Sequence, residues 1–131
     1  MSFFKIFSTH RNSLTDNALN TGLRILLNAP FNSNIEIKEK LLIKFPGLTQ
    51  EQIIKDEIVC RKAYKFGHDI IYDTMVKRLK ALDPMTEQEL KNLYRQEMTN
   101  HFPWANKRNL KSIYNLATYS LVHDGWFEFK K

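Results

Sequence analysis

The longest regular pattern of apolar positions in the chain lies between Thr49 and Leu82. At about 100° per residue, the rotation of an α-helix, most of these positions fall on one broad face, and a smaller apolar line lies nearly opposite. The broad face holds Ile53, Ile54, Cys60, Tyr64, His68, Ile71, Tyr72, Met75, Leu79 and Leu82, and the second line holds Val59, Ala63, Phe66 and Ile70. A helix that is apolar on two sides is normally packed on two sides. The pattern therefore predicts an all-α bundle around a long central helix, residues 50–82.

Gly67 lies in the middle of this predicted helix. A glycine there costs about 1 kcal/mol relative to alanine, so it marks either a close helix crossing or a break. We expect one continuous helix and a bundle of about five helices. The alternative, a break at Gly67, gives six.

Two helices are predicted before the central one. The first begins at the N-cap candidate Ser13 and ends near Asn28, ahead of Pro30. The second follows a capping box at residues 33–36 and ends near Phe45.

Cap signals also place the three remaining helix starts. A capping box at Thr49–Gln52 follows the Pro46-Gly47 turn and opens the central helix. A further box at Thr86–Glu89 opens a helix over residues 87–101, and Asn106 is the N-cap candidate of a last helix that Gly125 ends.

Length and composition favour a single helical domain over residues 1–131, with 1–12 and 126–131 as flexible or docked ends. The chain has 131 residues, enough for a real core, and its four glycines and four prolines are too few for a sandwich with many turns. The single cysteine, Cys60, excludes an internal disulfide and a multi-cysteine metal site. No apolar run approaches the ~20 residues that span a membrane, so we expect a cytoplasmic protein without a membrane partner.

The charge of this basic protein is concentrated in the two ends of its sequence. The net charge is +6, with six Lys/Arg against three Asp/Glu in residues 1–50, nine against nine in 51–100, and five against two in 101–131. An excess of this kind permits binding to nucleic acid or to an acidic partner, but does not demand either.

One candidate binding surface lies at the start of the last helix. Three cations stand there within five residues, near an aromatic side chain; the set is Trp104, Lys107, Arg108 and Lys111. These cations lie at the positive end of the helix dipole, which is unfavourable unless an anionic partner is bound. The alternative is an ordinary solvated face beside a core aromatic.

A second candidate is a polar row on the broad face of the central helix. Its members, at spacings of four, three and four, are Glu57, Arg61, Tyr64 and His68. They form either a satisfied polar network between helices or the lining of a site, where ionisable groups with shifted pKa values cluster.

Motifs for metal, cofactor or phosphate chemistry are not found. Glu97 and His101 are four residues apart, whereas di-iron bundles use paired Glu-x-x-His motifs, so we expect no metal and no cofactor. The four glycines are isolated, which excludes the usual phosphate loops. His123 and Asp124, beside Trp126, are the most suggestive acid–base pair, with capping of the helix end as the alternative.

The sequence thus favours a protein-binding or regulatory module without catalytic activity, acting on another protein. The main alternative is a nucleic-acid-binding protein that uses the basic end regions or the helix-turn-helix-like joint at 45–52. A cofactor-free enzyme is the third possibility. The oligomeric state is not indicated by the sequence.

Overall fold

The computed structural model describes residues 2–28, 37–123 and 129, and this part of the chain forms five α-helices and no strand. The helices are α1 (Ser2–Asn28), α2 (Ile37–Lys44), α3 (Gln50–Lys80), α4 (Glu87–His101) and α5 (Lys107–His123). The predicted all-α bundle with a long central helix is confirmed. Helix α3 is that helix, and it is continuous through Gly67.

The chain divides within α3 into two compact units, Met1–Lys62 and Ala63–Lys131. Each unit has its own buried apolar side chains. That residues 1–131 form a single domain stays a prediction.

In the first unit, α1 and the first half of α3 pack closely because Gly22 has no side chain. A Cβ atom at Gly22 would lie 2.8 Å from Cys60 Sγ and 3.4 Å from side-chain atoms of Ile37 and Leu41. Cys60 Sγ also donates a hydrogen bond to the Leu19 carbonyl, at 3.1 Å. Cys60 is therefore a buried packing residue, and burial raises its pKa to about 12.

In the second unit, Gly67 has the same role against α5. A Cβ atom at Gly67 would lie 2.6 Å from Ile113 Cγ2 and 3.4 Å from Met98 Cε. Of the two possibilities that the sequence left open for this glycine, the structure has the close helix crossing. Around it lies a core made by α3, α4 and α5; its buried apolar members include Ala63, Ile71, Met75, Leu90, Tyr94, Met98, Ile113 and Ala117.

The predicted apolar face of α3 is wrong in part. The buried stripe is shifted from the broad face toward the second line: it keeps Ile53, Cys60, Ile71 and Met75 from the broad face and Ala63 from the second line, and it also contains Asp56 and Gly67. Ile54, Tyr72, Leu79 and Leu82, all assigned to the broad face, are exposed. The burial is centred where Ala63 and Gly67 allow neighbouring helices to approach, not where the largest side chains are most numerous.

Two predicted helix starts also need correction. Helix α1 begins at Ser2 and not after Ser13, because no proline or glycine between them interrupts the helix. At α3, Thr49 Oγ1 accepts from the Gln52 backbone amide at 3.1 Å, but the Gln52 side chain donates to Asp56 Oδ1 and not back to Thr49. The predicted box at residues 33–36 lies outside the described residues.

The N-terminal caps of α4 and α5 form as predicted, whereas Gly125, the predicted C-terminal cap of α5, lies outside the described residues. Thr86 and Glu89 make both bonds of a capping box, with Oγ1 accepting from the Glu89 amide at 3.1 Å and the Glu89 carboxylate from the Thr86 amide at 3.2 Å. Asn106 Oδ1 accepts from the Asn109 amide at 2.8 Å. These caps fix the residues at which α4 and α5 begin.

Candidate functional site

Helices α4 and α5 form a hairpin that is held together by a pair of tyrosines. After α4 ends, the Ala105 amide donates to the Phe102 carbonyl at 3.0 Å, and this turn leads into α5. The Tyr94 hydroxyl donates to the Leu110 carbonyl at 2.5 Å, and the rings of Tyr94 and Tyr114 lie 5.5 Å apart. The contacts bring the middle of α4 against the first half of α5.

A cleft of about 620 Å³ opens along this hairpin. One side is a row on α4 at four-residue spacing, Lys91, Arg95 and Thr99; the other is a matching row on α5, Lys107, Lys111 and Asn115. Residues four apart project from the same side of a helix, so each row faces the cleft along its length. The remaining lining is mostly apolar or aromatic: Tyr94, Pro103, Ala105, Leu110 and Tyr114.

Among the described residues, the charged side chains that line the cleft are all positive. Lys91 pairs with Glu87 at 3.1 Å, but Glu87 does not itself line the cleft. Arg95, Lys107 and Lys111 are exposed, and within the described part of the chain they make no ion pair. A concave surface with charges of one sign concentrates counter-ions and charged ligands of the opposite sign.

The two tyrosines of the cleft differ in the state of their hydroxyls. The Tyr94 hydroxyl is satisfied by Leu110, and burial raises its pKa well above the ordinary value. The Tyr114 hydroxyl is buried and has no hydrogen-bond partner among the described residues, and burial raises its pKa to about 12. The Lys91 ammonium lies 5.7 Å from the centroid of the Tyr114 ring, a cation–π distance.

No family model matches the chain, and no curated protein or solved structure shows significant similarity to it. None of the helices in the described ranges combines the length and the apolar character needed to cross a bilayer. Similarity to known proteins therefore gives no indication of the function.

The candidate surface predicted from the sequence contributes two of its four residues to the cleft. Lys107 and Lys111 line it, whereas Trp104 and Arg108 do not. Trp104 is half-buried, with its ring edge-on to Phe102 at 6.2 Å. Lys107 and Lys111 are four residues apart and project from the same side of α5, whereas Arg108 is turned by about 100° from Lys107 and Trp104 precedes the helix. Whether any of them binds a partner stays a prediction.

Sequence reasoning missed the opposite wall of the cleft, the cations Lys91 and Arg95 on α4. Their only local signal is the four-residue spacing, which they share with Lys107 and Lys111. That spacing is common on solvated helix faces. Only the tertiary contact between Tyr94 and α5 shows that the two rows face one cleft.

The polar row predicted on α3 is half-buried, not buried, because it lies on the flank of the stripe that packs. Glu57 and Arg61 form an ion pair at 3.8 Å. Farther along the helix, the rings of Tyr64 and His68 stack at 4.5 Å, and His68 Nδ1 lies 3.1 Å from the Tyr64 carbonyl oxygen. Burial lowers the pKa of His68, which favours its neutral form. Each group thus has a partner on its own helix.

The residues considered for metal or acid–base chemistry do not form a cluster in the described part of the chain. Glu97 and His101 form a helix pair at 3.7 Å, and no group of three or more potential metal ligands is found among these residues. Asp124 and Trp126 lie outside the described residues, as does the side chain of His123.

Proposed function

We propose that the chain is a helical module without catalytic activity that binds an acidic segment of another protein in the α4–α5 cleft. The observation that carries this proposal is the lining of the cleft, where two helix rows contribute four cations and the described residues contribute no carboxylate. Complementary charge of this kind steers association and selects the partner.

The arrangement of the cations supports an anionic ligand. Like charges four residues apart on one helix repel each other, which applies both to Lys91 with Arg95 and to Lys107 with Lys111. The pair on α5 also stands in the first turns of that helix, where positive charge opposes the dipole. A bound acidic segment would turn each of these unfavourable interactions into a favourable one.

The shape and lining of the cleft favour a protein segment over nucleic acid. The lining residues outside the two rows are mostly apolar or aromatic, and a cleft of about 620 Å³ has the size of a site for a few side chains. Single-stranded nucleic acid is usually held by stacking on open aromatic faces, but Tyr94 and Tyr114 are both buried.

The joint between α2 and α3 gives little support to the nucleic-acid alternative. The turn at Phe45–Leu48 has the expected outline. The first turns of α3, however, present the exposed Glu51, which pairs with Lys55 at 3.8 Å, and Glu51 would face phosphates in a DNA complex.

The test compares two variants that lose the same charge. Arg95, Lys107 and Lys111 are changed to Ala in the first; exposed lysines outside the cleft, Lys62, Lys77 and Lys80, are changed to Ala in the matched control. Binding of a fluorescent peptide of alternating Glu and Leu is followed by anisotropy at low and high salt. A single-stranded oligonucleotide of equal charge is measured in parallel.

We expect the cleft variant to bind the peptide about tenfold more weakly than wild type, since each lost pair contributes a modest, salt-screened term. The control should retain most of the affinity. Equal losses in the two variants would contradict the proposal, because affinity would then follow net charge alone. Tighter binding of the oligonucleotide than of the peptide would favour the nucleic-acid alternative.

A further inference from the structure

Tyr114 is one of the lining residues of the cleft, and its hydroxyl is an unused hydrogen-bond donor. The residue is only 5% exposed, and its hydroxyl oxygen is buried without a partner among the described residues. Leaving a buried hydroxyl unpaired is unfavourable, and native structures contain few such groups. With its pKa raised to about 12, by burial and then by the charge of Glu87, the hydroxyl keeps its proton at neutral pH. An acceptor atom from a ligand would satisfy it.

Lys91 lies over the Tyr114 ring and, among the described residues, is the one cation of the cleft that already has a carboxylate partner. Its ammonium lies 5.7 Å from the Tyr114 ring centroid and 3.1 Å from Glu87 Oε1. A ligand anion that draws Lys91 away from Glu87 would also uncover the ring on which Lys91 lies. Glu87 therefore competes with an incoming anion for the same cation.

We infer, on the basis of the function proposed above, that the cleft binds the phosphate of a phosphorylated side chain in the partner segment, with Tyr114 and Lys91 as contacts. A phosphate on a side chain carries about −1.5 to −2 charges at pH 7 and three acceptor oxygens. A carboxylate carries one charge and two oxygens. Four cations and a free hydroxyl donor provide more charge and more donors than one carboxylate can use.

The opposing rows suit a phosphate for a second reason. Arg95 presents a planar guanidinium, which binds phosphate oxygens in pairs, and Lys107 and Lys111 face it from α5. The apolar residues of the lining, Pro103, Ala105 and Leu110, remain available for the side chains next to the phosphorylated residue.

The experiment uses three acidic peptides that differ only in their central residue, which is serine, glutamate or phosphoserine. Dissociation constants are measured by anisotropy for wild type, Tyr114→Phe and Lys91→Gln. Inorganic phosphate is added as a competitor in a separate arm. In wild type we expect the phosphoserine peptide to bind about tenfold more tightly than the glutamate peptide. Each variant should remove most of this preference.

Two further measurements separate a ligand contact from a purely structural role. Tyr114→Phe removes an unpaired buried hydroxyl, so its stability toward denaturant should equal or exceed that of wild type while its phosphoserine preference falls. Glu87→Gln frees Lys91 and should strengthen binding of the phosphoserine peptide severalfold. Glu97→Gln, which removes the same charge from the other end of α4, is the control and should leave this affinity unchanged.

The outcomes distinguish this inference from the function on which it rests. Equal affinities of wild type for the glutamate and phosphoserine peptides would overturn the phosphate site, although binding of both would still support the proposed function. No binding of any peptide would overturn both. Competition by inorganic phosphate at concentrations similar to those of the phosphopeptide would show a site for a free anion, which contradicts a phosphorylated protein segment as its ligand.

Discussion

At the scale of single residues, the glycines of the chain show how side-chain space decides where helices meet. At Gly67 an added Cβ would lie 2.6 Å from Ile113 Cγ2, whereas at Gly47 it would meet no atom within 4 Å. Ile113 is fully buried and β-branched, so its Cγ2 cannot easily rotate away. The two positions therefore form a matched pair for the same substitution.

Gly67→Ala should destabilise the protein by about 1–3 kcal/mol. Overpacking against Ile113 has a cost of this order and exceeds the gain of about 1 kcal/mol in helix propensity. Gly47→Ala should be neutral or raise stability by up to about 1 kcal/mol, because it restricts the unfolded chain. Urea denaturation of both variants measures the difference. A Gly67→Ala protein more stable than wild type would show that α3 and α5 do not approach closely at this point.

Asp56, in the first unit, is an acidic side chain buried among apolar residues. The residue is 3% exposed, its Oδ1 accepts from the Gln52 side chain at 2.9 Å, and its Oδ2 has no hydrogen-bond partner among the described residues. Burial raises its pKa in the folded state, more than the Gln52 hydrogen bond lowers it. The folded chain therefore holds the proton more tightly than the unfolded chain. The stability of the folded state with respect to this group is therefore greatest below the unfolded pKa of about 3.9, where Asp56 is protonated in both states. It is lost as the pH rises through the folded pKa.

Asp56→Asn should gain stability relative to wild type as the pH rises from about 4 to 7, because only the wild-type side chain has to lose a proton in a buried position. The substitution keeps the acceptor for Gln52 and removes the titration. Chemical denaturation of both proteins across this pH range is the measurement. A difference between them that does not change with pH would mean that Asp56 titrates as it does in the unfolded chain.

At the scale of helices, the end of α3 is set by a backbone motif with an unusual residue in it. The amides of Leu82 and Asp83 donate to the carbonyls of Leu79 and Arg78, both at 3.1 Å, which is the Schellman arrangement. Leu82 occupies the left-handed position with φ 52°, where glycine is normally found, and it is 87% exposed. An ion pair between Arg78 and Asp83 lies across the same motif.

Leu82→Gly should stabilise the protein by about 1 kcal/mol. A non-glycine residue in the left-handed region costs roughly 1–2 kcal/mol, and the greater freedom of glycine in the unfolded chain offsets part of the gain. Little packing is lost, because the side chain is exposed. Thermal and urea denaturation would measure the shift, with Ala81→Gly beside it as the control, which should not gain stability. A loss of stability in Leu82→Gly would contradict the left-handed backbone conformation of Leu82 at the end of α3.

The observed buried stripe of α3 predicts different effects of alanine substitution at two positions that the sequence pattern treats alike. Ile71 and Leu79 were both assigned to the broad apolar face, but Ile71 is fully buried and Leu79 is 49% exposed. Ile71→Ala should lower the free energy of unfolding by about 2–4 kcal/mol, and Leu79→Ala by less than about 1 kcal/mol. Denaturation midpoints measure both. Similar losses for the two variants would restore the face predicted from the sequence.

The success of the sequence predictions depends on the range of the interactions involved. The box at Thr86 and Glu89 was predictable because both partners lie within one turn. At Thr49 only one of the two capping-box bonds forms, because the Gln52 side chain donates its hydrogen bond to Asp56. Apolar periodicity indicates that α3 is a buried helix, but the direction of its buried stripe depends on which neighbours fit against Gly22 and Gly67.

At the scale of the whole molecule, the net charge of each sequence segment does not indicate the basic cleft between α4 and α5. Residues 51–100 carry equal numbers of acidic and basic groups, yet two of them, Lys91 and Arg95, form one wall of the basic cleft. The opposite wall comes from the basic C-terminal segment. Folding brings the two rows together through the contacts of Tyr94 with α5, so the cleft could not be predicted from segment charges.

The central claim is that an acidic protein segment binds between α4 and α5, and a nuclear magnetic resonance titration tests it most directly. Uniformly ¹⁵N-labelled protein is titrated with the Glu–Leu peptide, and the backbone amide shifts are followed residue by residue. We predict that the largest changes fall on residues 91–99 and 103–115, around the cleft, and that they diminish at high salt. Shifts of equal size on α3, or no shifts at peptide concentrations that saturate binding measured by anisotropy, would contradict the claim.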